Sequence, residues 1–569
     1  MKNKVIILLI ILISLLLGGC RPKHPGIEHD FVRTTKMTEF LSDEPRVIEY
    51  KCALCSERKT EEVSSIFNYT VNGDEVILTS IQPTYKREFE VLRIPDTYNG
   101  KPVTEINTKL LEGSKNLKEV IIPKNIKVFY EGVFYDCPNI ETIYYEGTLE
   151  EWLNIEMKSF IFDELFIIKN VYMKDSNNEY YKLQKVNIPE SITEVGDFLF
   201  AGFSFIEEIT FHDNLKRIGK YAFDQCKNIT KLIIPNSVEE MQFGSFRFCE
   251  SLTELTMPQL NYYTWNHIFN KNKVTKLTLT KGDYIYDNEV PLYPNDPHSV
   301  AGVFSSFKYL ETITIPASIT KIGDVAFANC KNLKNVIFEE GSKLTEIGSY
   351  TFFNCESLTN IVIPEGVEII DTAAFLNCES LTNVVIPNNV NTINEYTFMN
   401  CINLQTFTFG KNTKIFEEKI FDGCENLKDV YFNGNLEDWC NISFDSSPGY
   451  KAKNIYLKNN DQYEILTELV IPETITRIGK YQFAGFSEVI DVTIPSTVTR
   501  IEDQAFYNCA NLKKIFIDLN IKYVGYNIFE NCDKVKIYCE HNSKPSSWDK
   551  DWCKGKYCYW DYKNSLGIE

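Results

Sequence analysis

A 23-residue frame repeats along most of this chain, and no other feature of the sequence limits the fold as strongly. Leu358 begins LTNIVIPEGVEIIDTAAFLNCES, Leu381 begins LTNVVIPNNVNTINEYTFMNCIN, and Leu512 begins LKKIFIDLNIKYVGYNIFENCDK. The shared frame is L-x-x-[IV]-x-[IF]-P-x-x-V-x-x-I-(G)-x-x-A-F-x-x-C-x-x. Its first position recurs seventeen times between Phe89 and Leu512, and a shortened copy starts at Val535. Most steps are 23 residues. The others are 28 after Phe89, 43 after Ile140, 22 after Leu252, 36 after Val274, 25 after Leu333 and 39 after Leu427.

One copy of the frame predicts its own geometry. Positions one, four and six are apolar and point inward, while two, three and five point out, as the period of a strand requires. The proline at position seven cannot donate to a ladder and closes the strand. The later V-x-x-I and A-F-x-x-C supply inward side chains for the other walls of a coil. A single coil cannot bury this much apolar surface, so the coils must stack. The expected fold is a β-rich solenoid with a parallel sheet of about 17 coils and short helices or turns on the outer side. The 38 Phe and 32 Tyr suit such a strand-rich chain.

The frame resembles the BspA-like class of bacterial leucine-rich repeats. Its hallmarks stand here as Ile363-Pro364, Ala374-Phe375 and Asn377-Cys378-x-x-Leu381. The resemblance runs over roughly residues 60–569. It implies a leucine-rich-repeat solenoid on a surface-exposed or secreted protein, and several members of that class are adhesins for host matrix proteins or other cells.

The longer steps carry inserts. Tyr144 to Ile155 reads YYEGTLEEWLNI, and Tyr431 to Ile442 reads YFNGNLEDWCNI. Each predicts a larger coil whose short helix, starting near Leu149 or Leu436, packs Trp152 or Trp439 into the core; projection of the insert as a ligand contact is the alternative. The expected organisation is a leader over 1–19, a lipid-anchored tether over 20–59 and a hairpin cap with first repeat over 60–116. The solenoid follows over 117–534 with inserts at 144–182 and 431–465, then a C-terminal cap over 535–569. The hairpin is expected to turn at Asn72-Gly73. A surface loop over 281–300 holds Tyr284, Tyr286, Tyr293, Pro291, Pro294 and Pro297. In the cap, Trp548, Trp552 and Trp560 are expected to cover the open end of the core.

The leader has Lys2 and Lys4 ahead of an apolar run from Val5 to Leu17, too short to span a bilayer comfortably. Leu17-Gly18-Gly19-Cys20 resembles the lipobox of bacterial lipoproteins, which implies a lipidated Cys20 and a body tethered on the extracellular face of the cell. The membrane would then be met only through the N-terminal lipid. A net charge of −19 argues against nucleic acid and anionic lipid surfaces as partners.

Seventeen cysteines in an exported chain raise the question of disulfides. Ten hold one position of the frame, from Cys137 to Cys532, and should form a buried column. Strand spacing sets neighbours about 4.8 Å apart, wider than the roughly 3.8 Å between Cβ atoms of a disulfide. They are expected to be free thiols. Cys440 replaces Leu153 of the sister insert and is read as core. Cys52-Ala53-Leu54-Cys55 is the one C-x-x-C, open to a local disulfide, an inert pair or a metal, and the pairing of Cys539, Cys553 and Cys558 is also open. Six scattered histidines form no ligand motif, and the chain has no G-x-S-x-G or Gly-rich phosphate loop. The expectation is a binding protein with no catalytic residues, cofactor or metal.

The candidate ligand face is the outward row of the central five coils. Position three, charged in the earlier coils, turns uncharged at Thr312, Asn335, Asn360, Asn383 and Thr406, and position five reads Thr314, Ile337, Val362, Val385 and Thr408. Such a patch rimmed by charge is composed like an interface core, although the same residues also simply favour strands. The expected partner is a host-matrix or cell-surface protein. The alternative is a glycan, or a structural surface role without a specific protein partner.

Overall fold

The computed structural model describes residues 31–33, 39–40, 46–52 and 58–63, and the chain from 65 to 563 except 84, 86–87, 162–167, 260–267, 270–272, 287–302 and 305–306. Cys20, the leader, Cys55 and most of the 281–300 loop lie outside these residues. The fold is a parallel β-solenoid of about 19 turns with repeats of ~23 residues. Each insert lays down a rung of its own. Strand Asn170–Lys174 pairs in parallel with Thr142–Tyr145, and Asn454–Asn459 pairs in parallel with Asp429–Phe432.

The chain packs as two compact units, one running to Glu207 with Ile218–Lys227, the other comprising Glu208–Arg217 and Asn228 onward. In the first unit, strands Glu39–Phe40, Val91–Arg93, Glu119–Ile122, Thr142–Tyr145 and Asn170–Lys174 form a parallel wall. A hairpin, Phe67–Asn72 with Glu75–Ile81, opens the second wall. Its loop is Gly73-Asp74, one residue later than expected, because Asn72 pairs with Glu75 and Gly73 takes φ +61°. In the second unit an eleven-stranded wall runs from Lys231–Ile233 to Gln462–Ile465. A further wall holds Glu468–Val470, Asp491–Thr493, Lys514–Ile517, Lys536–Cys539 and Cys558–Trp560.

Each insert ends in a return strand that the sequence reading missed. Tyr180–Lys182 folds back antiparallel on Asn170–Lys174, and Gln462–Ile465 does so on Asn454–Asn459. The second turn, Asn460-Asp461, has φ of 45° and 64°, the conformation of a two-residue hairpin turn. The expected helices are present as α1 (Leu149–Leu153) and α2 (Leu436–Cys440), each opened by a capping box, Thr148 with Glu151 and Asn435 with Asp438. Trp152 and Trp439 are fully buried. Their indole N–H groups donate to carbonyls of a later coil, Leu199 at 3.1 Å and Gln482 at 2.6 Å. Elsewhere the outer side is built mainly of turns rather than helices.

The frame's hallmarks acquire physical reasons here. The phenylalanines of A-F stack into a column, Phe304, Phe327, Phe352, Phe375 and Phe398, with ring centroids 4.9, 5.4, 5.3 and 5.5 Å apart. The asparagine of N-C sits in the left-handed region, with φ 64° at Asn329, 58° at Asn354, 62° at Asn377 and 59° at Asn400, where Asn is tolerated better than most residues. Gly423 and Gly485 occupy the equivalent place with φ 79° and 77°. The amides also form a ladder, each Nδ2 donating to the previous Oδ1 at 2.8, 2.7 and 2.9 Å from Asn354 to Asn400.

The cysteines follow the same logic. Cys355, Cys378, Cys401 and Cys424 donate to the carbonyls of Phe327, Phe352, Phe375 and Phe398 one coil earlier, at 3.1 to 3.3 Å. The buried thiol therefore does more than fill space: it links successive coils. Cys440 is buried, in line with its reading as core.

Candidate binding surface

The five central strands stand side by side in the second unit, in the register that the repeat predicts. Thr312 pairs with Asn335, Asn335 with Asn360, Asn360 with Asn383, and Asn383 with Thr406. Position three thus forms a column of short polar side chains. Asn335 Nδ2 donates to Thr312 Oγ1 at 3.3 Å, Asn383 Nδ2 to Asn360 Oδ1 at 3.4 Å, and Thr406 Oγ1 to Asn383 Oδ1 at 2.5 Å.

Position five carries the apolar exposure. Ile337 is 48% exposed, Val362 82% and Val385 52%. Asn335, Asn360 and Asn383 beside them are also exposed, whereas Thr312, Thr314, Thr406 and Thr408 are half-buried. The ten residues singled out in the sequence are therefore unequal, and the accessible patch is the middle six. The same row is also apolar away from the centre, at Ile233 (54% exposed), Val470 (60%) and Phe516 (36%). Apolar exposure alone does not set the central coils apart.

The central coils also carry a groove, one of several recesses along the solenoid. The strand of the coil at Leu358 is only Asn360–Ile361, so Val362 leaves the ladder. The preceding coil has the 25-residue step, with Glu339 where the frame has proline and a turn through Gly341 at φ +75°. Here lies a shallow groove of ≈ 550 Å³ lined by Ile337, Phe338, Gly341, Ser342, Val362, Pro364 and Gly366, and also by the acidic Glu339 and Glu365. The Gly366 backbone lies close under the preceding coil: a Cβ there would sit 3.1 Å from the Leu344 carbonyl oxygen. The sequence reading missed Phe338, Gly341, Ser342 and Gly366, although the 25-residue step marked the place.

Charge flanks the patch in matched pairs. Lys334 meets Glu311 at 3.0 Å and Lys331 meets Glu356 at 2.7 Å. Exposed pairs of this kind add little stability but fix the polarity of a rim.

The central part of the thiol column is inert, whereas Cys532 is lowered by a hydrogen bond with Cys509. Burial pushes the thiols of Cys330 and Cys424 up to about 12, and raises Cys355, Cys378 and Cys401 well above the ordinary thiol range. The thiolate that reacts or ligates is thereby suppressed. Among the described residues, no group of three His, Cys, Asp or Glu side chains is placed to hold a metal ion, and no helix is long and apolar enough to cross a membrane. Of the alternative ligand loop, only Lys281–Tyr286 is described, with a short strand at Tyr284–Ile285.

Comparison with known proteins bears on the whole chain. The chain is similar to a leucine-rich repeat protein from Bacteroides ovatus, at 19% identity over 88% of this chain and 99% of that one, with a TM-score of 0.36. It is similar to a leucine rich cell surface protein from Faecalibacterium prausnitzii, at 20% identity over 67% and 97%, TM-score 0.30. A third likeness is to the pneumococcal vaccine antigen PcpA, at 18% identity over 70% and 93%, TM-score 0.28. No curated protein matches the chain. The family profile described as BspA type leucine rich repeat region matches, in six copies, at residues 64–165, 172–289, 300–428, 345–463 and 453–544. With those matches covering most of its length, and with its phenylalanine, asparagine and cysteine ladders, the chain belongs to the BspA-type leucine-rich-repeat family.

Proposed function

We propose that this protein is an exported, lipid-anchored surface module that binds a host-matrix or cell-surface protein through the central coils of its solenoid. It is an adhesin rather than an enzyme in this reading. The observation that carries it is the groove beside Ile337 and Val362, continued by exposed Val385 and the asparagine column. An apolar centre, a polar ladder and a paired charged rim together suit a protein interface. The anchor is Cys20, read from the lipobox-like Leu17-Gly18-Gly19-Cys20.

A glycan-binding role is the second reading. It is favoured by the outward aromatic cluster at the second insert, where Tyr431 stacks on Tyr456 at 4.5 Å and Tyr463 lies edge-on at 5.1 Å. Flat aromatic rings of this kind offer a face on which a sugar ring can lie.

The test is a binding screen of the Cys20→Ser chain, soluble without its lipid, against immobilised matrix proteins and a glycan array. Saturable binding to a protein supports the first reading. Binding to glycans alone replaces it with the second, and turnover of either ligand would overturn the assignment as a binding module.

A further inference from the structure

The repeat cysteines are buried, and burial raises the thiols from Cys330 to Cys424, while Cys532 is lowered by its hydrogen bond with Cys509; two cysteines of the C-terminal segment are set apart by their partial exposure. Cys553 and Cys558 are only partly buried, and their sulfurs lie 3.0 Å apart. That is within about an ångström of the 2.05 Å of a disulfide bond. Cys553 follows Trp552, which is buried against Trp548 at 4.9 Å and Trp560 at 6.1 Å. Cys558 opens the strand Cys558–Trp560, which pairs in parallel with Ile537, Tyr538 and Cys539 at the edge of its sheet. The loop between them turns tightly: Lys556 N–H donates to the Cys553 carbonyl at 2.8 Å, and Gly555 takes φ +75°.

We infer that Cys553 and Cys558 are a thiol–disulfide exchange site, and that their oxidation closes a covalent clasp holding the last strand onto the tryptophan cluster. The pair is asymmetric. The Cys558 thiol donates to the Cys553 sulfur, which lowers the Cys553 pKa and raises that of Cys558. Cys553 is therefore the attacking thiolate. It attacks one sulfur of a small-molecule disulfide, forms a mixed disulfide and releases one thiolate. Cys558 then loses its proton and attacks the Cys553 sulfur, expelling the second thiolate. The protein gives up two electrons and two protons, and the small disulfide becomes two thiols. Cys539, buried on the neighbouring strand with its thiol raised to about 12 by burial, takes no part.

The clasp has a mechanical purpose. The terminal coils of a solenoid need covering, and among the described residues Cys558–Trp560 is a three-residue strand at the edge of its sheet. Tying it to the residue after Trp552 keeps the cover seated. The chemistry belongs to the pair itself and does not depend on where the chain resides or what it binds.

The experiment treats the purified full chain with excess glutathione disulfide, blocks free thiols with iodoacetamide under native conditions, and maps peptides by mass spectrometry. A peptide linking Cys553 to Cys558, with the loss of two alkylatable thiols and with Cys539 and the repeat cysteines reduced, is the expected result. Amide exchange over 558–563 should slow on oxidation while 358–401 is unchanged. The pair variant Cys553→Ser/Cys558→Ser should exchange like the reduced chain and ignore the oxidant; if it does not fold, the reduced wild-type chain supplies that comparison. A stable glutathione adduct without closure, a link to Cys539, or unaltered exchange over 558–563 would each overturn the inference.

Discussion

Replacing Val362 and Val385 together by lysine should abolish protein binding and leave the fold intact. The stability side follows from exposure. Val362 is 82% exposed and Val385 52%, so folding buries little of Val362 and about half of Val385. Surface changes of this kind stay within about 0.5 kcal/mol each. The binding side is larger. A partner covering both valines gains roughly 1.5 kcal/mol for a fully exposed valine, and in proportion less for the half-exposed Val385. Losing both removes about 2 kcal/mol, roughly thirty-fold in Kd at about 1.4 kcal/mol per factor of ten. Two ammonium groups left without partners under the ligand add a desolvation cost. The assay is surface plasmon resonance against the matrix protein found in the screen, alongside circular dichroism and Tm. The same substitutions at Ile233 and Val470 are the control, since both are exposed on the same row but lie outside the central coils. A Kd unchanged by the central lysines, or raised equally by the control pair, refutes the assignment of binding to the groove.

Three further outcomes are expected. Cys20→Ser should release the protein from the membrane fraction; retention in detergent partitioning would remove the anchor from the proposal. Asn377→Ala should cost about 1–3 kcal/mol in chemical denaturation, from a left-handed φ of 62° and a broken amide ladder, while Asn377→Gly, as at Gly423 and Gly485, should cost less; equal losses would show that backbone conformation is not the cause. The raised thiol of Cys330 makes the folded state hold its proton after the unfolded chain has lost it, so its stabilisation is full below pH 9.0 and drains away as pH rises from there to about 12. Each such thiol contributes a slope of about 1.4 kcal/mol per pH unit in that window. Cys330→Ala should flatten the alkaline fall in Tm, and an unchanged slope would mean that Cys330 is not buried in the folded chain.

The sequence by itself determined the repeat unit. Leu, Ile and Phe at fixed positions, the strand-closing proline and the Trp helices are local signals, and the structure places each of them where the 23-residue frame does. It also marked the central coils by their uncharged third position and the 25-residue step. Several things were beyond it. That each insert makes a rung of its own and then a return strand depends on which neighbour Asn170–Lys174 and Asn454–Asn459 find to pair with. The unequal exposure of the ten candidate residues depends on where the backbone leaves the ladder, as at Val362, and the groove lies where a lengthened turn in one coil faces a shortened strand in the next. The cysteines read as small apolar side chains because their partners, the phenylalanine carbonyls, belong to the coil before. Period fixes what points inward, but contacts between coils are set by the path of the backbone around each turn, and that path is decided only when the coils stack.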